Sequence, residues 1–221
     1  MNLVAESLGL PTIVIGWILL LAGVIWSLKT APWYKLQDKQ AQHVMLGASL
    51  LVFLVWQFTA SVDEGLSFHF LLMTLVTMMF APQFAILTMT FALLGVTLVM
   101  DLGWLSFGVN GFVMGLTPIF ITWLMYKVGA RFLEANFFVY VFYNGFFSAA
   151  IGVVSVLSMA VGVLLVNDVY NYAQLKQMFI PYIPLMATPE GFVNGMALAA
   201  LVVLKPNWLT TFHDKNYLEG K

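Results

Sequence analysis

Long apolar segments are the feature of this sequence that most restricts its fold. An α-helix needs about 20 consecutive apolar residues to cross the hydrocarbon core of a bilayer. Segments close to this length, with Glu190 as their one charged residue, cover 11–28, 44–60, 83–100, 109–126, 137–166 and 180–204. A shorter apolar run, 68–80, ends at Ala81-Pro82, because proline cannot continue a helix through its interior. The pattern therefore predicts six long membrane-spanning helices and one short segment, 68–80, which is either a short span or a re-entrant segment.

The composition identifies lipid as the solvent for these helices. Hydrophobic residues make up 62% of the chain and charged residues only 9%, whereas soluble domains have about 25% charged residues. The net charge of −1 gives no indication of nucleic-acid binding, and the absence of cysteine excludes disulfides and thiolate metal sites. The first ten residues lack the positive charges of a secretory signal peptide, so the first apolar segment is predicted to be a retained span.

The basic residues predict the number of spans and their orientation. Cytoplasmic loops of membrane proteins are enriched in Lys and Arg. With seven spans and an external N-terminus, every basic residue except Lys176 falls on the cytoplasmic side. With six spans, the basic residues would be divided between the two sides of the membrane. The basic residues on that side are Lys29, Lys35, Lys39, Lys127, Arg131, Lys205, Lys215 and Lys221.

The predicted fold is thus an all-α, polytopic membrane helix bundle of about seven transmembrane helices. Its N-terminus lies outside and its C-terminus in the cytoplasm. Residues 1–204 form a single transmembrane domain, in which the segment 1–10 folds back toward an external site, and 205–221 form a short cytoplasmic tail. The predicted location is the bacterial inner (cell) membrane, with multiple passes.

Two stripes of small residues predict close helix packing, which helices in lipid use for association. Each stripe follows the spacing of one helix face, and each can pack within the bundle or against another membrane subunit. The two stripes are Gly145, Ser148, Gly152 and Ser155, and Gly191, Gly195 and Ala199.

His69 is the first candidate for a functional residue. It follows Ser67 at the entry to the short helix, and ionisable residues within membranes are functional candidates by default. Imidazole is also the commonest protein ligand for metals. Met73 lies one turn later and could supply a thioether to Cu(I), although methionine also fills gaps in apolar cores. The alternative for His69 is a hydrogen-bonded histidine at a helix end.

A second group of candidates is Glu190 with Asn194, which follow Pro189 inside the last apolar segment. A carboxylate at this depth must be protonated, paired or hydrogen-bonded. It can serve as a structural anchor or line a substrate path. The sequence has no phosphate-binding loop of the G-x-x-x-x-G-K-[ST] type and no catalytic triad pattern, so we expect neither ATP hydrolysis nor another enzymatic activity.

Several motifs resemble the CbiM/NikM family, the substrate-binding membrane subunits of cobalt and nickel energy-coupling-factor transporters. The resemblance extends along nearly the whole chain. The most specific stretch, Glu64-Gly65-Leu66-Ser67-Phe68-His69, is similar to the family's G-[ST]-x-x-H loop before a short third helix. The other similar segments are Gly16-Trp17, Leu46-Gly47, Gly108-Val109-Asn110 with Met114-Gly115, and Pro184 through Glu190-Gly191.

The resemblance implies a divalent transition-metal site for Ni, Co or Cu. In the family, the terminal amine, a backbone nitrogen and a second-residue histidine bind the metal together with the loop histidine. The corresponding residues are Met1, Asn2 and His69, with Ser67, Asn110, Glu190 and Asn194 as further polar candidates. This chain departs from the family at Asn2, where an amide replaces the imidazole. The resemblance also implies a transmembrane partner (T) subunit and cytoplasmic ATPase subunits, in addition to the lipid bilayer.

Two other functions remain compatible with the sequence. The missing second-position imidazole and the small-residue stripes fit a non-transporting accessory or assembly subunit of a larger membrane complex. Glu190 and Asn194 equally fit a site for a small organic or lipid-like ligand in the centre of the bundle. A different observation supports each of the three hypotheses. Metal binding indicates the importer subunit, a stable partner other than an ATPase module indicates the accessory subunit, and a co-purified small molecule indicates the ligand site.

Overall fold

The protein is an all-α polytopic bundle with one small β-hairpin. A computed structural model describes residues 3–63, 66–101 and 103–213. Its main elements are α1 (Leu10–Thr30), α2 (Lys39–Gln57), β1 (Ala60–Asp63), β2 (Leu66–Phe68), α3 (Met73–Val99), α4 (Trp104–Asn110), α5 (Thr117–Phe132), α6 (Ser148–Val166), α7 (Tyr172–Met178) and α8 (Tyr182–Leu204). Wider π-helical turns, Gly111–Leu116 and Val139–Phe147, join α4 to α5 and extend α6 at its start. Short 3₁₀ turns cover Ala5–Ser7, Trp33–Gln37 and Pro206–Trp208.

Within the described residues, five helices are long and apolar enough to cross a membrane. They are Leu10–Thr30, Met73–Val99, Trp104–Phe132, Val139–Val166 and Tyr182–Leu204. Helix α2 has 19 residues and begins at an N-cap, Asp38, whose carboxylate accepts hydrogen bonds from the backbone N–H groups of Gln40 and Ala41. Seven crossings and an external N-terminus stay predictions.

Helix α3 is broken where the sequence predicts it. Ala81, directly before Pro82, has φ 59° and ψ 169°, which no helix accommodates. The break lies beside the ends of two other helices: the Ser27 hydroxyl donates to the carbonyl of Gln83 (2.6 Å), and the N–H of Thr210 donates to the carbonyl of Met79 (2.9 Å). The first part of α3, 73–80, is therefore a short helix that runs toward the end of the bundle where α1 and α8 finish.

This end of the bundle collects positive charge, and we call it the basic end. Lys29 lies in the last turn of α1, Lys35 lies between α1 and α2, Lys39 is the first residue of α2, and Lys205 follows α8. The Tyr126 hydroxyl donates to the carbonyl of Thr211 (3.3 Å), which brings the C-terminal part of α5, with Lys127 and Arg131, to the same end.

The described part of the predicted C-terminal tail packs against the bundle. Leu209 and Phe212 are buried with Met78, Met79 and Tyr140 in a second apolar cluster. The hydroxyl of Thr211 donates to the carbonyl of Met78 at 2.7 Å. Residues 205–213 therefore close the basic end of the bundle, and residues 214–221 lie outside the described part of the chain.

Two glycines allow the backbones of α1 and α4 to meet. A Cβ atom at Gly16 would lie 2.7 Å from the backbone nitrogen of Val109, and one at Gly108 would lie 2.6 Å from that of Trp17. Gly145, Gly191 and Gly195 make a similar contact between the helix that includes α6 and α8, because a Cβ at Gly145 would lie 3.2 Å from the Cα of Gly195. Intramolecular packing is therefore confirmed for these three residues.

We expect Gly16→Val to separate α1 from α4 and to lower the thermal unfolding midpoint in detergent by about 2–12 °C. The physical reason is overpacking against backbone atoms that cannot rotate away, which costs about 1–3 kcal/mol. The matched control is Gly162→Val, because a Cβ at Gly162 meets no atom within 4 Å. Equal midpoints for the two variants would contradict the backbone contact.

Candidate metal-binding site

The N-terminal segment folds into the bundle and is held there by Asn110. Leu3 is 1% exposed and Asn110 is 1% exposed. The N–H of Leu3 donates to Oδ1 of Asn110 (2.9 Å), and Nδ2 of Asn110 donates to the carbonyl of Leu3 (3.0 Å). One side-chain amide thus satisfies both backbone polar groups of a buried residue. Met1 and Asn2 lie outside the described residues, and the return of segment 1–10 toward an external site stays a prediction.

His69 lies in the segment between β2 and α3, buried against Trp56. The imidazole is 6% exposed, and its ring centroid is 5.5 Å from that of Trp56. Its Nδ1 is 3.1 Å from the carbonyl oxygen of Phe70. Because a carbonyl only accepts, Nδ1 carries the proton. In the neutral ring that burial favours, this leaves the lone pair on Nε2.

The Nε2 atom of His69 is buried and has no hydrogen-bond partner among the residues that the structure describes. Buried polar atoms in folded proteins almost always have a partner, so an orphan requires an explanation. A histidine that binds a metal typically donates its other ring N–H to a carbonyl or carboxylate, which fixes the ring orientation. His69 has this arrangement, with its free lone pair directed away from Phe70.

Glu190 and Asn194 hold the segment that carries His69. The carboxylate of Glu190 accepts hydrogen bonds from the N–H groups of Leu71 and Leu72, each at 2.9 Å. Oδ1 of Asn194 accepts from the N–H of Leu75 at 2.9 Å, and its Nδ2 donates to Oε1 of Glu190 at 2.8 Å. These bonds cap the N-terminus of α3, where free N–H groups and the helix dipole favour a negative charge.

This capping contact selects the structural interpretation of Glu190 over a substrate path. Both carboxylate oxygens of Glu190 accept backbone hydrogen bonds, and the side-chain amide of Asn194 is engaged at both ends. Trp56 adds a third anchor, because its indole N–H donates to the carbonyl of Leu71 at 3.1 Å. Residue Leu72 has φ 58°, a left-handed conformation that these bonds hold in place.

The remaining candidates occupy positions around this segment. Ser67 is buried in β2, where its Cα pairs with that of Ser61 in the antiparallel hairpin. Met73 is fully buried in the main apolar cluster, as expected for a residue that fills the core. Within the described residues, no group of three or more His, Asp, Glu or Cys could hold a metal ion.

Sequence reasoning identified most residues of this region but missed one of their partners, Trp56, and the capping role of Glu190 and Asn194. The spacing of Glu190 and Asn194, four apart on one helix face, marks them as a pair, yet nothing in the sequence shows that they cap α3. Trp56 was missed entirely, because a tryptophan in an apolar helix has no pattern that distinguishes it from core or interface residues.

Comparisons with known proteins agree with the fold. Residues 2–208 match the sequence model of the CbiM family, described as the cobalt uptake substrate-specific transmembrane region. No curated protein matches the sequence. The structure is similar to a crystal structure of a truncated transition metal transporter (TM-score 0.73, 20% identity, 91% of this chain and 96% of that chain). It is also similar to a crystal structure of a transition metal transporter (TM-score 0.73, 18% identity, 94% of this chain and 93% of that chain).

Proposed function

We propose a function from the premise that this chain belongs to the CbiM family: it is the substrate-binding membrane subunit of an importer for a divalent transition-metal ion, of the Co/Ni type. The importer is of the energy-coupling-factor class. Because the chain has no phosphate-binding loop of its own, ATP hydrolysis is assigned to cytoplasmic ATPase subunits, coupled through a transmembrane T subunit. The assembly lies in the bacterial inner membrane.

The observation that supports this function is the orphaned Nε2 of His69. A lone pair on a buried imidazole, with the opposite nitrogen engaged by a carbonyl, is the state in which histidine binds metals. Nitrogen donors suit Ni, Co and Cu better than they suit Mg or Ca. The ion is here the transported substrate, so the site must release it as well as bind it.

The other ligands in this proposal come from the start of the chain. Two residues can reach at most about 7 Å beyond Leu3, and Leu3 is fixed in the interior by Asn110. The terminal amine and the backbone nitrogen of Asn2 are assigned as ligands beside His69 because the family resemblance implies them, and the inward position of Leu3 supports this assignment. The carboxamide of Asn2 is a weaker donor than an imidazole, which predicts a lower affinity than a histidine at this position would give.

Isothermal titration of the purified full-length protein with Ni(II), Co(II), Cu(II) and Zn(II) tests this function. We expect one ion per protein to bind with a dissociation constant well below the millimolar range. Asn2→His is expected to strengthen Ni(II) binding by at least about tenfold, because it adds an imidazole ligand. A chain extended by two residues before Met1 is expected to bind Ni(II) weakly, because its terminal amine no longer lies beside His69.

Two results would contradict the proposal. One is millimolar or weaker binding of all four ions to the unmodified protein. The other is an affinity that Asn2→His and the N-terminal extension both leave unchanged, which would separate the metal from the start of the chain.

A further inference from the structure

Two adjoining cavities begin at the basic end, and the second extends to Leu72, where α3 begins after His69. The first, of about 1050 Å³, lies between the α1–α2 connection, the break in α3 and the segment after α8. The second, of about 750 Å³, is a groove between α2 and α8. Gln40, Val44, Met79 and Trp208 line both cavities, so the two form one continuous site.

The two cavities differ in chemistry. The groove is lined by apolar and small residues, including Gly47 and Ala48 on α2 and Ala197 and Ala200 on α8. Its polar side chains are confined to the basic end. The first cavity has a mixed lining of polar and apolar residues that includes Lys35, while its carboxylate, Asp38, is engaged as the N-cap of α2. A ligand that fits both has an anionic head and an apolar chain.

Buried, unpaired donors on two residues that line the first cavity strengthen this inference. The indole N–H of Trp208 and the hydroxyl of Thr210 are both buried and have no hydrogen-bond partner within the described part of the chain. Both residues line the cavity together with Lys35. An N–H group, a hydroxyl and an ammonium are the donors that bind a phosphate.

The length of the groove favours an acyl chain of a lipid as its occupant over a helix of a partner subunit. On α2 the groove extends from Gln40 to Val52, which corresponds to roughly 18 Å at 1.5 Å per residue. One leaflet of a bilayer has a hydrocarbon depth of about 15 Å. A transmembrane helix of another subunit would contact twice that depth, whereas a single acyl chain spans one leaflet.

We propose that these two cavities form one binding site for an anionic phospholipid, with its phosphate headgroup in the first cavity and one acyl chain in the α2–α8 groove. Basic pockets between transmembrane helices are known to bind anionic lipid headgroups. The lipid fills the space between α2, the first part of α3 and α8. It therefore packs against the first part of α3, the helix that follows His69.

Native mass spectrometry of the full-length protein tests this site. Detergent-solubilised protein is mixed with equal amounts of phosphatidylglycerol and phosphatidylcholine that carry the same acyl chains. We expect one phospholipid to bind, with a preference of about fivefold for phosphatidylglycerol, the effect of one lysine near an anionic headgroup. Lys35→Gln is expected to remove this preference. Lys29→Gln, an exposed lysine of the same end that lines neither cavity, is expected to retain it.

A second pair of variants tests the groove. A Cβ at Gly47 and a Cβ at Gly162 both meet no atom within 4 Å, so neither substitution creates a clash at that atom. Only Gly47 lines the groove. Gly47→Leu is expected to remove most of the bound lipid of both kinds without changing the Ni(II) affinity, and Gly162→Leu to leave lipid binding unchanged.

The proposal is overturned by equal binding of the two lipids to the unmodified protein. It is also overturned if Gly47→Leu binds as much lipid as Gly162→Leu does. If Gly47→Leu instead retains lipid but loses another membrane protein that co-purifies with the unmodified chain, the groove holds a protein helix.

Discussion

His69→Ala is expected to weaken Ni(II) binding by more than about 100-fold and to abolish metal uptake by cells that carry the complete transporter. Loss of an outer-sphere partner of a metal ligand typically costs 10–100-fold in affinity, so loss of the ligand itself should cost more. The alanine variant leaves no other histidine near the site, because His43 and His213 lie at the basic end. Isothermal titration and uptake of radioactive nickel measure the two effects.

The structure provides both a folding check and a matched control for this variant. Nε2 of His69 makes no hydrogen bond within the described residues, and Nδ1 makes one. We therefore expect His69→Ala to keep the helical circular dichroism of the unmodified protein. His43→Ala, an exposed histidine on α2, should leave the affinity unchanged. Equal losses in the two histidine variants, or no loss in His69→Ala, would remove His69 from the site.

Glu190→Ala is expected to destabilise the protein by about 3 kcal/mol or to prevent its folding. The substitution leaves the N–H groups of Leu71 and Leu72 without acceptors in the interior, and each hydrogen bond to a charged group contributes about 1.5–3 kcal/mol. It also removes the negative charge from the N-terminus of α3. Thermal unfolding in detergent, followed by circular dichroism, measures the loss.

Two further variants test whether the loss of stability comes from the capping hydrogen bonds or from the loss of any carboxylate. Glu190→Gln retains one carbonyl acceptor and is expected to recover part of the lost stability. Glu6→Ala removes an exposed carboxylate near the start of the chain and should leave the unfolding midpoint unchanged. A Glu190→Ala protein as stable as Glu6→Ala would show that the backbone at Leu71 and Leu72 does not depend on the carboxylate.

The capping contact also connects stability to the proposed function. Glu190 and Asn194 lie on α8, and they fix the backbone immediately after His69. Helix α8 also ends at the basic end, where the lipid site is proposed. Glu190→Gln should therefore weaken metal binding as well as stability, because the histidine is oriented by the segment that this carboxylate holds.

The sequence predicted the apolar helices of the fold, but not the β1–β2 hairpin or helix α7. Hydropathy and helix length are sums over neighbouring residues, so the apolar segments and the membrane as solvent could be predicted from composition alone. The break at Ala81-Pro82 follows from the missing N–H of proline and is confirmed by the backbone angles of Ala81. His69 was identified because an imidazole is rare beside an apolar helix.

The roles of the polar residues depended on tertiary structure. Sequence reasoning left Glu190 between an anchor and a substrate path, because the burial of a carboxylate does not reveal its donors. Those donors, Leu71 and Leu72, lie more than 100 positions away in the chain. Asn110 and Leu3 are separated by 107 positions, and their pairing likewise exists only when α1 and α4 have packed together.

By itself, therefore, the sequence determined that this chain is a bundle of apolar helices with an imidazole at the entry to a short, proline-terminated helix. Only the tertiary structure decided that the carboxylate of α8 caps that helix, that Leu3 is buried against Asn110, and that α2 and α8 leave a groove. The physical reason is that helix formation and hydropathy are local properties, whereas hydrogen-bond partners and cavities arise between elements distant in sequence.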